Sequence, residues 1–451
     1  MAASLTTYRN GTITDGVSKL ILLIDSNDPL QFSINHTKPD DLSNGMLSSL
    51  SQSNVNNLSS TNDVNPHNVS HGKSVVAAVY TPPGSFNQDK TADHRTINVN
   101  VNVSNANDAD TRTLHKVPIQ LYRPPVVLIH GVWTNSDETW NKSTFKERLE
   151  KNGYKVFLAD YAAHNAKTFH PYAIPEIGNH GIDSLRKEIA KASNSCHNQS
   201  IAAAQVDVIA HSMGGLMARG FVQQPNYKRK ENFMKGSIHR LITIGTPHFG
   251  GHLSEFVYHH LDDWYCIEGI HITPAQNCKV EPKKLRTLYV NEGVVEALIP
   301  GSDAYSHLYQ TNVKSYAIAG SWKPNANDSH ESQEWNYQFI TDNLGFNLDR
   351  DGFHDDNDLV VSITSQLGGL PYQIRQPGSN DPPNEEDIPN KSAIYPNTVH
   401  ASFLIKRDKD ISSETYSPRI QEDIIILLNS SDNKFANAIG DGSPRHPSNI
   451  E

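Results

Sequence analysis

The stretch Val206–Arg219, VDVIAHSMGGLMAR, is what most limits the folds open to this chain. It opens as a β-branched, apolar run from Val206 to Ala210. It closes on a helical pattern in which Met213, Leu216, Met217 and Phe221 recur at helical spacing. Between the two sits Ser212, with the small residues Ala210 and Gly214 two positions away on either side. A chain that turns abruptly from strand to helix brings its own backbone close together, so it demands small side chains there. The turn lifts the serine hydroxyl out of the sheet, and the start of the helix aims backbone N–H groups at any anion formed beside it. This is a nucleophile-elbow pattern, with Ala210 where its commonest form has glycine. The competing reading is a strand and a helix that merely contain a serine. The rest of the chain decides between them by supplying, or not, a base, an acid and a second N–H donor.

A chain of 451 residues exceeds what one hydrophobic core usually serves, so two domains or one enlarged domain are expected. Residues 1–122 read as a small all-β, sandwich-like domain. Strand candidates are Val17–Asp25 and Ser74–Tyr80, followed by Ile97, Val99, Val101 and Val103 alternating with asparagines, then Val117, Ile119 and Leu121. Residues 36–73, rich in Asn and Ser, read as a flexible loop. After Pro124-Pro125 the pattern changes to strands alternating with helices, which implies a mostly parallel sheet with helices on both faces. Its strand candidates are Val126–Ile129, Lys155–Asp160, Leu241–Ile244 and Ser315–Ile318. Its helices are Thr144–Lys151, a face of Ile182, Leu185 and Ile189, and Ile420–Leu428. This catalytic domain is placed at 123–430, with a polar tail at 431–451 that is expected to fray. Residues 251–311 interrupt the alternation and carry many large apolar residues, Trp264 among them. They read as a lid or pocket wall, or alternatively as helices that simply pack down. Gln373–Pro389 reads as a surface loop.

Composition narrows the function classes. A net charge of −10 with no long basic run argues against nucleic acid as partner. No run nears the ~20 apolar residues that span a bilayer, and no secretory signal peptide is recognisable, so a soluble protein is expected, cytoplasmic or exported by a non-signal route. Of three cysteines, Cys266 and Cys278 lie close enough in sequence for a bridge in an oxidising compartment; otherwise they and Cys196 are free thiols. No Cys/His spacing suggests a metal site, and none is expected.

A serine hydroxyl attacks a carbonyl only when an imidazole takes its proton and a carboxylate orients that imidazole. In a sheet with an elbow these follow in the order serine, acid, histidine. Asp358 immediately precedes the apolar Leu359-Val360-Val361, where a carboxylate is both oriented and partly desolvated; Asp355 and Asp356 are the alternatives. His400 is the only histidine between Asp358 and the last helix. His248 precedes the acid and so has the wrong order for the base. Met213, next to the nucleophile, supplies one oxyanion N–H. Val132, after the His130-Gly131 turn that follows Val127-Leu-Ile, supplies the second.

These segments, together with Ile244-Gly-Thr-Pro-His-Phe-Gly-Gly251 and Asn357-Asp-Leu-Val360, resemble the α/β-hydrolase superfamily. More narrowly they resemble bacterial triacylglycerol lipases and GPI inositol-deacylase-like serine esterases. The first 120 or so residues lie outside the resemblance, and Leu359 stands where the family often has glycine. The resemblance implies an α/β-hydrolase fold with a lid-like insertion. It also implies a serine esterase or lipase with Ser212, Asp358 and His400 as its triad, and an ester or lipid substrate met by Trp133, His248 and Trp264. His248 is expected beneath the site. No cofactor is implied, and lipid-surface contact would come through the lid. The same triad would serve a thioesterase, phospholipase or acyltransferase. A binding or delivery protein with a secondary hydrolase domain is the non-enzymatic alternative, its β-domain partner left open.

Overall fold

A computed structural model describes residues 9–26, 29–35, 42–49, 61–64, 67–69, 73–86, 92–103, 113–169, 180–251, 253–255, 258, 265–268, 271–274, 293–322, 357–375, 384–401 and 412–440. The N-terminal strands are β1 (Gly11–Ile13), β2 (Leu20–Asp25), β3 (Leu30–Ile34), β4 (Met46–Ser49), β5 (Thr61–Val64), β6 (His67–Val69), β7 (Lys73–Thr81), β8 (His94–Val103) and β9 (Thr113–Tyr122). They form two sheets, one with β2, β7, β4 and β6, the other running β1-β9-β8-β3-β5. Alternation explains the packing. Ile97, Val99 and Val101 of β8 turn inward with Val117, Ile119 and Leu121 of β9, and meet Leu20, Leu22 and Ile24 of β2 and Val76, Ala78 and Tyr80 of β7 in one core.

Part of the 36–73 stretch, read as a flexible loop, is strand. Met46–Ser49 and His67–Val69 pair antiparallel with β7, and Thr61–Val64 pairs with β3. Their Asn- and Ser-rich sequences carry no period-2 apolar signal, because the partner strands supply the hydrogen-bond ladder.

The second unit begins with β10 (Val126–Ile129), α1 (Phe145–Lys151), β11 (Val156–Ala159), α2 (His180–His197), β12 (Ile201–Ala202), β13 (Val206–His211), α3 (Met213–Val222) and β14 (Ile238–Ile244). It continues through β15 (Tyr265–Glu268), β16 (His271–Pro274), α4 (Val294–Ala297), α5 (Asp303–Ser306), β17 (Lys314–Ser321), α6 (Ile363–Leu367) and β18 (Gln373–Ile374). It ends with β19 (Ser392–Pro396), β20 (Thr398–Val399), β21 (Ser412–Ser413) and α7 (Pro418–Asn429). Its main sheet runs β11-β10-β13-β14-β17-β19-β18, with every pairing parallel. Central strands covered on both faces must be apolar throughout, and β10, β13 and β14 are buried along their whole length. One face is covered by α2 and α3. Ile182, Leu185, Ile189, Ala192 and Cys196 of α2 form a single buried stripe at helical spacing. The other face is covered by α7, which starts on Pro418 behind a Ser417 hydroxyl that accepts from the Ile420 amide, and buries Ile420, Ile424, Ile425 and Leu427. Each such side chain contributes about 1.5–3 kcal/mol of burial free energy.

The two units are joined by β pairing. Strand β12, from the second unit, lies parallel to β1, with Gly11 opposite Ile201. Arg123 sits under Phe86 and against Tyr154, with its guanidinium 4.2 Å and 4.8 Å from the ring centres.

Three other sequence expectations change. Residues 431–440 of the polar tail are packed: Phe435 and Ile439 are buried, Ile439 bridges Thr311, and Ala436 bridges Ser315. The two apolar anchors are too widely spaced to register as a pattern. In Gln373–Pro389, Gln373 and Ile374 form an edge strand on β19, and Ile388 is buried. Within 251–311, Val294, Val295, Leu298, Ala304 and Leu308 are buried, and Leu298 O accepts the Gly251 amide at 2.9 Å, so this part follows the packed-down alternative. Trp264 and Cys278 lie outside the described residues.

Candidate active site

Strand β13 ends at His211 and α3 begins at Met213, which leaves Ser212 alone to make the turn. Its backbone is left-handed, φ 54° and ψ −131°, a conformation that costs a non-glycine residue of order 1–3 kcal/mol. The surroundings hold it there. The Ser212 amide donates to Ile244 O at 2.8 Å, and Thr246 Oγ1 donates to Ser212 O at 2.9 Å. A Cβ on Gly214 would stand 2.6 Å from the His130 carbonyl, so the position two beyond the serine must be glycine. Ala210, at the position two before it, keeps its methyl group in the core.

His400 follows β20, and its Nε2 is 2.9 Å from Ser212 Oγ, while its Nδ1 is 2.7 Å from Asp358 Oδ2. The other Asp358 oxygen, Oδ1, accepts the amides of Val360 at 2.9 Å and Val361 at 2.7 Å. These two bonds fix the carboxylate in the tight turn that the apolar Leu359-Val360-Val361 run closes. Leu359 has φ 77°, which gives the physical reason for a glycine preference at this position. Asp358 is fully buried, and Ser212 and His400 each keep 6% exposure. Asp355 and Asp356 lie outside the described residues.

Gly131 crosses directly above the serine: a Cβ there would be 2.6 Å from Ser212 Cβ. Among the described residues, no backbone carbonyl accepts from the amide of Val132 or of Met213. The turn before Val132 is held by His130, whose ring stacks on Tyr161 with 4.3 Å between centres. The Tyr161 amide donates to His130 Nε2 at 3.1 Å, so the proton sits on Nδ1, 2.9 Å from Gly131 O. Burial pushes His130 below its ordinary titration range, against the opposing pull of the Gly131 carbonyl and Asp160.

Of the three residues expected to meet substrate, Trp133 packs half-buried against the core beside the site, with φ 54°. His248 does not fit that role. It is buried, with Nε2 3.1 Å from Thr243 Oγ1 and Nδ1 3.4 Å from Arg219 Nη1, so both nitrogens are occupied by protein groups. Burial, then the charge of Arg219, holds it well below the usual range. It acts as packing beneath the elbow helix, where Arg219 also donates to His248 O, Leu308 O and Tyr309 O.

Two further residues join the cluster, His211 from within the elbow stretch and Glu414, which carries no sequence signal. His211 and Glu414, both buried, stand beside His400: His211 Nε2 is 3.2 Å from His400 O, and Glu414 Oε2 is 3.5 Å from His400 Nδ1. Glu414 lies in the polar run Ser412-Ser-Glu-Thr-Tyr416, indistinguishable from a surface turn. Among the described residues, His211, His400 and Glu414 are the group with ligand-type atoms within 4.8 Å of one another. A cation there would have to displace His400 from Asp358 or Ser212, so it would compete with the serine's hydrogen-bond chain.

The architecture and the turn are those of an α/β-hydrolase. Residues 125–344 match the family model for palmitoyl protein thioesterase, a span that includes β10, the elbow and Gly245-Thr-Pro-His248 and ends before Asp358 and His400. Comparison with curated proteins gives no match. Among solved structures, a mature-form lipase of Bacillus licheniformis, BlEst2, is similar at 15% identity, covering 62% of this chain and 86% of that one with a TM-score of 0.35. The phospholipase PlaB of Legionella pneumophila is similar at 15% identity over 56% of this chain and 46% of that one, less than half its length, with a TM-score of 0.34. An esterase B of Lactobacillus rhamnosis is similar at 13% identity over 56% and 74%, with a TM-score of 0.27. In fold the chain is an α/β-hydrolase, and over residues 125–344 it is similar to the palmitoyl protein thioesterase family. No helix among the described residues is long and apolar enough to cross a membrane.

Proposed function

We propose that this protein is a serine hydrolase of carboxylic esters that works through an acyl-enzyme. The observation that carries the reading is the unbroken hydrogen-bond chain Ser212 Oγ, His400, Asp358, at 2.9 Å and 2.7 Å. In the cycle Ser212 Oγ attacks the ester carbonyl while its proton passes to His400 Nε2. Asp358 stabilises the imidazolium. The carbonyl oxygen becomes an oxyanion and accepts from the Val132 and Met213 amides, each such donor being worth about 10²–10³ in kcat. Collapse expels the alcohol, which takes the proton from His400. Water then attacks the acyl-serine by the same steps, releasing the acid and restoring Ser212. No step calls on a metal or cofactor. Acyl-chain contact is assigned to Trp133 and to the 251–311 insertion, which includes Trp264; that insertion is also the assigned route of contact with a lipid surface.

The family match favours a second reading in which the scissile bond is a thioester. The chemistry is the same apart from a thiol leaving group. The deciding experiment is a panel of p-nitrophenyl esters and acyl thioesters of graded chain length, run on wild type and Ser212→Ala. Loss of hydrolysis and of fluorophosphonate labelling in Ser212→Ala is expected. Equal rates, or labelling that survives the substitution, would overturn the proposal. A transferase would reveal itself by an ester product when an alcohol acceptor is added.

A further inference from the structure

One buried carboxyl has no part in that cycle. Glu414 follows β21, and its amide donates to Val399 O at 2.9 Å, which ties it to the residue before His400. The side chain is completely enclosed, and two glycines make the space. A Cβ on Gly245 would fall 2.0 Å from Oε2, and one on Gly320 would fall 2.9 Å from Oε1. Oε1 accepts the Gly320 amide at 3.1 Å.

Oε2 is the atom that needs explaining. His211 Nε2 is 3.4 Å away and His400 Nδ1 3.5 Å away, but the first is engaged by His400 O and the second by Asp358. As a carboxylate oxygen, Oε2 would have no donor among the described residues. It would also be a second anion beside Asp358 in a site closed to water, which is strongly unfavourable. A proton removes both costs at once, because a carboxylic acid donates where a carboxylate only accepts.

We propose that Glu414 carries a proton beside the Asp358 carboxylate, and that by donating a hydrogen bond to it Glu414 moderates the grip of that carboxylate on His400. Burial, and after it the Asp358 charge, push Glu414 well above the usual carboxyl range. The other titratable groups facing the pair are His400 itself and His211. Burial, followed by the nearness of His400, keeps His211 neutral, with His130 acting in the same direction. Glu414 is therefore a positioning residue. By sharing the charge of Asp358 it weakens that carboxylate's stabilisation of an imidazolium at His400.

This inference rests on the proposed role of His400 as base, and the test separates the two. The first readout is infrared absorption near neutral pH. A protonated-carboxyl C=O band is expected in wild type and should vanish in Glu414→Gln; its absence from wild type overturns the pair whatever the enzyme hydrolyses. The second is the pH profile of fluorophosphonate labelling at Ser212. Glu414→Leu removes the donor and should move the acid limb upward by about one pH unit. Glu414→Gln keeps an N–H donor and should hold the limb at the wild-type position. An unmoved limb in Glu414→Leu, or a limb that falls in Glu414→Gln, overturns the inference. If the band is present and Ser212 resists labelling, the hydrolase reading fails and the pair stands.

Discussion

The His400 amide donates to the Asp358 carbonyl at 3.0 Å, alongside the 2.7 Å bond between His400 Nδ1 and Asp358 Oδ2. The two residues are therefore clamped by backbone as well as side chain, and the clamp fixes the orientation of the imidazole. Asp358→Asn keeps the backbone clamp but turns an amide toward Nδ1, which selects the wrong tautomer. A fall in kcat of about 10⁴ is expected, with little change in Tm. Steady-state kinetics beside a thermal melt checks this, and a loss under tenfold would return the acid to Asp355 or Asp356.

His400 and His248 give opposite expectations. His400→Ala removes the ring that is hydrogen-bonded to Ser212 Oγ, so kcat should fall by about 10³ or more. His248→Ala leaves a hole beneath α3 and strips Arg219 of a neighbour, so it should lower Tm and reduce kcat/KM by less than about tenfold. The reverse ranking in a paired assay would assign the base to His248.

Gly131→Ala tests the turn proposed to present the Val132 amide without touching a functional side chain. The added methyl would sit 2.6 Å from Ser212 Cβ and must displace either the serine or the turn carrying the Val132 amide. A kcat loss of about 10²–10³ is expected, with the far-UV circular dichroism of the wild type. Activity within about threefold of wild type would show that the turn relaxes at no cost to the site.

Stability should fall as solutions are made acidic, beginning near the free-histidine value of 6.5. His130, His211 and His248 are all shifted downward, burial being the first cause in each. Between 6.5 and their folded values the unfolded chain binds more protons than the folded one, so the stability present above 6.5 is progressively lost as pH drops. Tm measured from pH 8 down to pH 5 in matched buffers should show that slope, and His248→Phe should flatten part of it. A Tm that holds steady or rises across the interval would contradict it.

The N-terminal sandwich is expected to be part of the folding unit. Gly11 pairs with Ile201, and Arg240, 1% exposed inside the second unit, donates to Gly84 O at 3.0 Å as well as to Leu428 O and Ser430 O. Removing residues 1–122 uncovers Ile201 and leaves a buried guanidinium short of an acceptor, a loss of about 1–3 kcal/mol from that group alone. Calorimetry should show one transition for the whole chain and a lower Tm for the truncated one. Two independent transitions would make the sandwich an autonomous appendage.

What the sequence determined by itself was local. A strand, a serine between small residues and a helix can hardly be arranged otherwise, so the elbow at Ser212 was legible, as were the apolar strands around it and the period-2 strands β8 and β9. Chain order pointed to Asp358 and His400 as candidates, because the acid and base of such a sheet come from loops after later strands, and the structure brings both beside Ser212. The strands at Met46–Ser49, Thr61–Val64 and His67–Val69 were not legible, since their stability comes from partners and not from their own residues. Nor was the docking of Phe435 and Ile439, two anchors in a polar tail. His248 carried a motif and proved to be packing, because only the fold shows both its nitrogens taken by Thr243 and Arg219. Glu414 carried no motif at all. Whether a carboxyl is a solvated surface charge or a proton held against Asp358 depends on the water around it, and that is decided by burial and by neighbours far away in sequence.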